Sequence, residues 1–189
     1  MFEKMKKIVF SIGYAASLSA CSGEKVWKEE VRLNDGRIIT VIQKRNCDSG
    51  STGDSMASCI ERESWLTVNL PETKNQDVQW HEHLKPKIFN VYQGNLYIVA
   101  TPATAREYRK YGYKDSLYLC FKWDHDQWKR ITLSDLPVAI YDTNLVIDGA
   151  FLKTNFLTLA EKNGRDFNGS SSYPDYFKRI DPNKKSSFD

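Results

Sequence analysis

Two histidines at alternating positions are the first side chains in this sequence that could support chemistry. If the stretch Trp80-His81-Glu82-His83 is a strand, both imidazoles lie on one face and could bind zinc. A third ligand would have to come from residues 124–126, and the spacing fits no established zinc pattern. We therefore expect a solvated loop before Pro86 and no metal site.

Ser55 is the candidate nucleophile. It stands in Gly53-Asp54-Ser55-Met56, an order found in the nucleophile block of some serine esterases. A serine nucleophile needs a base, an orienting group and oxyanion donors, and a nucleophile elbow lies between a strand and a helix. Ser55 instead lies in a Ser- and Gly-rich loop between two cysteines. We expect no catalytic residue and no cofactor, although a hydrolase that uses Ser55 or zinc remains an alternative.

An arginine- and tyrosine-rich segment is the strongest indication of a binding surface. Arg106, Tyr108, Arg109 and Tyr111 lie close together before Gly112. Tyrosine and arginine are enriched at interface hot spots because they offer large contact area and planar donors. We predict that these four residues contact a protein partner. The alternative is a solvated helix whose tyrosines cover the sheet.

Three cysteines of the chain lie beyond residue 25. Cys47 and Cys59 flank a polar loop, and a disulfide between them would stabilise the fold by about 3 kcal/mol in the chain-entropy model. Cys120 lies in an apolar, aromatic strand pattern and is expected to be a buried free thiol. The alternative pairs Cys120 with one of the other two.

The elements that position these residues are mostly short strands. Asp35-Gly36 separates two extended runs and predicts a hairpin whose central residues both take positive φ. Further hairpins are predicted at 93–95 and 124–127, and the alternation of 64–71 predicts a half-buried strand. Residues 72–79 indicate a linker, and short strands are predicted within 134–148 and 150–162. One short helix is predicted after Thr104.

These elements predict a mainly β protein, a single antiparallel β-sandwich or open barrel with one short helix. The β-rich domain is assigned to residues 26–162. The tail, 163–189, is expected to be only partly ordered, because it is rich in Ser, Asn and charged residues. Length supports one domain with a sizeable core.

The first twenty residues have the pattern of a cleaved secretory signal. Lys4, Lys6 and Lys7 precede an apolar run from Ile8 to Leu18, which is shorter than the roughly 20 residues of a membrane-spanning helix. Leu18-Ser19-Ala20-Cys21 resembles the lipobox of bacterial lipoproteins. That resemblance implies lipidation of Cys21 and a tether over 21–25. Ser22, where an aspartate would favour inner-membrane retention, implies an outer-membrane anchor facing the periplasm.

The charge balance argues against a nucleic-acid partner. The whole chain has a formal net charge of +3, and Lys4, Lys6, Lys7 and Glu3 give the signal +2, so the remainder carries 3 − 2 = +1. Proteins that bind nucleic acid usually present a basic face. Aromatic residues make up 13% of the chain, which favours strands and interfaces.

Several segments resemble a family of small envelope lipoproteins. The resemblance lies in the hairpin between Trp27 and Val41 and in the following stretches: 80–86, 94–100, 121–123, 128–131 and 144–145. Some members are immunity proteins that bind and inhibit type VI secretion phospholipase effectors in the periplasm. The resemblance implies a phospholipase partner encoded by an adjacent gene. The alternative is a structural or assembly lipoprotein that binds another envelope protein.

Overall fold

The computed structural model describes residues 22–50, 58–111, 116–146, 154–164 and 179–185. Cys21, Ser55 and Gly112 lie outside this part of the chain, as does the whole predicted signal. Predictions about those residues therefore stay predictions.

Within the described residues, nine strands form two sheets. Sheet A has the order β4-β3-β2-β1-β9, and sheet B has the order β5-β6-β7-β8. The strands of sheet A are β1 (Ser22–Arg32), β2 (Ile38–Gly50), β3 (Ser58–Asn69), β4 (Asp77–Glu82) and β9 (Phe156–Leu157). Those of sheet B are β5 (Leu84–Tyr92), β6 (Asn95–Pro102), β7 (Leu119–Asp124) and β8 (Gln127–Ile131).

The two sheets bury one apolar core between them, which confirms the predicted mainly β, sandwich-like fold. Sheet A contributes residues such as Val31, Val41 and Leu66, and sheet B contributes Phe89 and Ile98. The predicted alternation in β3 is also confirmed, because every second residue from 64 to 70 is buried. Period-2 burial is what a strand with one face against a core requires.

The hairpins differ in their turns. Residues 93 and 94 have φ of 49° and 74°, and residues 125 and 126 have φ of 48° and 59°, so both turns are the two-residue type that matches strand twist. The first hairpin is different: only Gly36 has positive φ, at 87°. Leu33 N donates to Arg37 O at 2.8 Å and Gly36 N donates to Leu33 O at 3.0 Å. The expectation that Asp35 also takes positive φ is wrong, because the loop has three residues and only its glycine adopts the left-handed conformation.

The outer face of sheet B is covered by irregular chain. A second apolar cluster joins Ile88, Val99 and Cys120 of the sheet to Ile140 and Ile180. The predicted strands within 134–148 are wrong over the described residues: 133–135 and 138–140 are short 3-10 turns, and Asp142 makes only an isolated bridge with Arg179. Side-chain hydrogen bonds take the place of strand-ladder hydrogen bonds here. The Asn144 side chain accepts from the backbone N–H of Phe89 and donates to its carbonyl oxygen.

Two other element predictions also need correction. Residues 77–79, expected to be linker, begin β4, which pairs with β3.

Helix α1 (Ala105–Lys110) follows Thr104, whose hydroxyl accepts from Arg106 N as predicted. A second helix, α2 (Leu159–Gly164), occupies positions where a strand was predicted, and Thr158 and Glu161 bond each other at its start as a capping pair does.

Candidate protein-binding surface

A row of side chains crosses the outer face of sheet A. The strand register aligns Val26 with Lys44, Lys44 with Trp65, and Trp65 with His81. These positions alternate with the buried ones, so their side chains point away from the core. We call Lys44, Glu63, Trp65, His81 and His83 the Trp65 patch.

Aromatic and cationic groups in the Trp65 patch pack on one another. The rings of Trp65 and His81 are stacked, with centroids 4.4 Å apart and planes 6° apart. Lys44 Nζ lies 4.9 Å from the Trp65 ring centroid, within the range of a cation–π contact, and 2.6 Å from Glu24 Oε2. Trp65 is therefore held in one orientation while it stays partly exposed.

Glu63 links the two histidines of the patch. The Nε2 atoms of His81 and His83 each lie 3.9 Å from Glu63 Oε1, so either imidazole forms an ion pair with the carboxylate when it is protonated. His83 Nδ1 lies 2.9 Å from the carbonyl oxygen of Arg62, which orients its ring. The side chains of His81 and His83 are 46% and 37% exposed, so both are open to a partner.

The predicted solvated loop is wrong for His81, which lies in strand β4, although both histidines do face solvent. His83 alone separates β4 from β5, at the point where the chain passes from sheet A to sheet B. No group of three His, Cys, Asp or Glu side chains within the described part of the chain is arranged to hold a metal ion.

Tyr111 ties α1 to the bend at His83. Its hydroxyl donates to Glu82 Oε2 at 2.6 Å and accepts from the His83 amide at 3.2 Å. Burial raises the pKa of the Tyr111 phenol above its ordinary value, and the bond to the Glu82 carboxylate raises it further. The end of the arginine- and tyrosine-rich segment therefore adjoins the Trp65 patch.

The other predicted contact residues divide between surface and interior. Arg106 and Arg109 are exposed on α1, but Tyr108 is only 5% exposed. The prediction that Tyr108 contacts a partner is therefore corrected: its ring packs inside, as in the alternative in which tyrosines cover the sheet. Arg106, Arg109 and half-buried Tyr111 remain available.

Sequence reasoning missed a polar network inside sheet A. Arg45 Nη1 donates to Glu61 Oε2 at 2.5 Å, and both side chains are buried. Arg45 Nη2 donates to Gln43 Oε1 at 2.8 Å, and the Gln43 amide donates to Glu29. Lys162 of α2 donates to Glu29 Oε2 at 2.5 Å. Continuing the period-2 pattern of β2 from Val41 would have placed Gln43 and Arg45 inside.

This network attaches later chain to sheet A. Glu29 Oε2 accepts from Val146 N at 3.1 Å, and Lys162 Nζ donates to Asn144 O at 2.6 Å. Buried charges are tolerated only when paired and hydrogen-bonded. These hydrogen bonds and ion pairs therefore have a structural role, because they hold residues 144–146 and α2 against β1.

The structure confirms the free, buried thiol predicted at Cys120 and shows that Cys47 is disulfide-bonded. Cys47 is disulfide-bonded, and its predicted partner, Cys59, belongs to β3 but has a side chain outside the described structure. That pairing therefore stays a prediction. Cys120 is free and fully buried, and burial raises the pKa of its thiol to about 12.

No protein-family model, curated protein or solved structure matches this chain. Among the described residues, no helix is both long enough and apolar enough to cross a membrane.

Proposed function

We propose that the protein is an outer-membrane lipoprotein facing the periplasm that acts as an immunity protein, binding and inhibiting a type VI secretion phospholipase effector. The lipobox-like sequence at Cys21 supports the anchor. The resemblance of the segments between 80 and 145 supports the partner. The mechanism is stoichiometric inhibition by a bound domain, without turnover.

The observation that carries the binding role is the Trp65–His81 stack, in which Trp65 is partly exposed and His81 is exposed. Tryptophan and arginine dominate the binding energy of many interfaces, especially where they are held rigid before the partner arrives. Trp65 is held between Lys44 and His81, and Arg106 and Arg109 lie on the helix joined to the same corner of the sandwich. The Trp65 patch, extended by these arginines, is the proposed contact surface.

Binding can be measured by calorimetry with residues 22–189, without lipid, and the purified phospholipase encoded by the adjacent gene. We expect nanomolar affinity for the unaltered protein. We expect the Trp65→Ala variant to have a dissociation constant at least about 30-fold higher, the loss typical of a hot-spot residue. Phe156→Ala is the matched control, because Phe156 is 43% exposed in β9 at the opposite edge of the same sheet. We expect that variant to bind like the unaltered protein.

Two results would contradict parts of this proposal. Equal losses for Trp65→Ala and Phe156→Ala would remove the Trp65 patch as the specific contact surface. Absence of any binding would contradict the immunity role, and partners cross-linked in the outer membrane would then identify the envelope protein that an assembly lipoprotein binds.

A further inference from the structure

The first strand begins at once after the residue proposed to carry lipid. β1 starts at Ser22, and Ser22 pairs with Asp48 of β2. Adjacent Cα atoms across a trans peptide bond are about 3.8 Å apart. The tether expected over 21–25 is therefore corrected for residues 22–25, which are ladder-paired members of the sandwich.

The start of β1 is also braced. Gly23 pairs with Cys47, which is disulfide-bonded, and Glu24 forms an ion pair with Lys44 at 2.6 Å. Fraying four residues to create a spacer would break these interactions as well as the ladder hydrogen bonds. The first residues of the domain are therefore fixed to the rest of it.

From this arrangement we propose that the sandwich rests directly on the phospholipid membrane surface, with no spacer between the lipid on Cys21 and the folded domain. This inference rests on the lipidation of Cys21 in the proposed function. It goes beyond that function because it states how the folded domain is joined to the anchor. Among the described residues at this end of sheet A, Glu24 pairs with Lys44 and Asp48 pairs with Arg62, so these charges are matched by opposite ones.

The Trp65 patch is then confined to the vicinity of the membrane. Val26, the first residue of its row, is five positions beyond Cys21, about 17 Å at the rise of an extended chain. Trp65 lies two strands across from Val26, about 10 Å further in the perpendicular direction. The patch therefore stays within about 20 Å of the anchor, where an enzyme attacking phospholipid must work.

The test compares the lipidated full chain with a variant that carries twenty Gly and Ser residues between Cys21 and Ser22, beginning with serine. Each protein bears a donor fluorophore on an unnatural amino acid at Lys28, which is exposed in β1 and belongs to none of the ion pairs invoked above. Each is reconstituted into phospholipid vesicles with acceptor-labelled headgroups. Such a linker adds about 25 Å of root-mean-square length. We expect energy transfer to fall at least about twofold in the insertion variant.

Mass spectrometry of the Cys21 peptide separates the two ways in which the inference could fail. Lipidated Cys21 with equal energy transfer in both proteins would overturn the missing spacer alone. An unmodified Cys21 would overturn the inference together with the proposed anchor. Calorimetry on residues 22–189 is independent of both, so the binding role is judged separately.

Discussion

Arg45 is a fully buried charged residue that is held by several partners. Its side chain is 0% exposed, and it bonds Glu61, Gln43 and the Val146 carbonyl. Removal of one partner from a buried ion pair leaves an uncompensated charge, which costs far more than the pair gains. The stability of sheet A should therefore depend on this arginine in particular.

We predict that Arg45→Met lowers the free energy of unfolding by about 3–5 kcal/mol, because Glu61 stays buried without its main partner. The double variant Arg45→Met, Glu61→Leu should recover much of that loss. Lys129→Met is the matched control: Lys129 pairs with Asp124 on the surface of sheet B, and such surface pairs contribute about 1 kcal/mol or less. Urea unfolding measures all three variants, and equal costs for Arg45→Met and Lys129→Met would contradict the network's role.

Cys120 should be chemically silent in the native protein. Its side chain is fully buried and burial raises the pKa of its thiol to about 12, so neither access nor thiolate is available near neutral pH. We expect no labelling by a thiol reagent at pH 8 in the folded state and full labelling of this residue in denaturant. Rapid labelling of Cys120 in native protein would show that β7 is not covered as described.

Tyr111 should make stability depend on alkaline pH. Its phenol has a pKa raised by burial and then by the Glu82 carboxylate, so the folded state holds the proton more tightly than the unfolded state. The stability from this group is fully present below the unfolded pKa, about 10, and is lost as pH rises through the folded value. We expect unfolding free energy to fall more steeply above about pH 10 than in Tyr111→Phe. Parallel pH profiles would contradict this coupling.

At the scale of elements, the hairpins could be predicted and the irregular covering could not. Turn residues such as Gly94 and Asp126 adopt positive φ within two-residue turns, so the local sequence is enough to predict these hairpins. Residues 133–146 are apolar enough to resemble strands, but Pro137 lacks a donor and Asn144 bonds the backbone of β5 through its side chain. Those hydrogen bonds join residues more than fifty positions apart, so the local sequence pattern cannot predict them.

The β1–β2 loop offers a test of turn geometry. Gly36 has φ of 87° with open space where a Cβ would lie, so Gly36→Ala should cost about 1 kcal/mol through backbone strain alone. Gly23→Ala is the control, because Gly23 also has open space but lies in a strand without positive φ. Thermal unfolding should separate the two, and equal midpoints would indicate that the loop relaxes to another turn.

At the scale of the whole molecule, alternation and turn signals were enough to predict a β-sandwich, whereas the surface was predicted only in part. Tyrosines of a short helix can face either way, and only the fold shows that Tyr108 is inside while Tyr111 meets Glu82. The Trp65 patch brings together three strands and the bend at His83, so it depends on register across sheet A. Register is set by packing of the whole sheet.

The proposed immunity role requires that one folded domain inhibits one phospholipase molecule. The most direct measurement is a titration of the adjacent-gene phospholipase with residues 22–189, following hydrolysis of a phospholipid substrate at enzyme concentrations well above the dissociation constant. We predict that activity falls linearly and reaches zero at about one equivalent, as tight stoichiometric binding requires. Full activity in the presence of excess protein would contradict the immunity role.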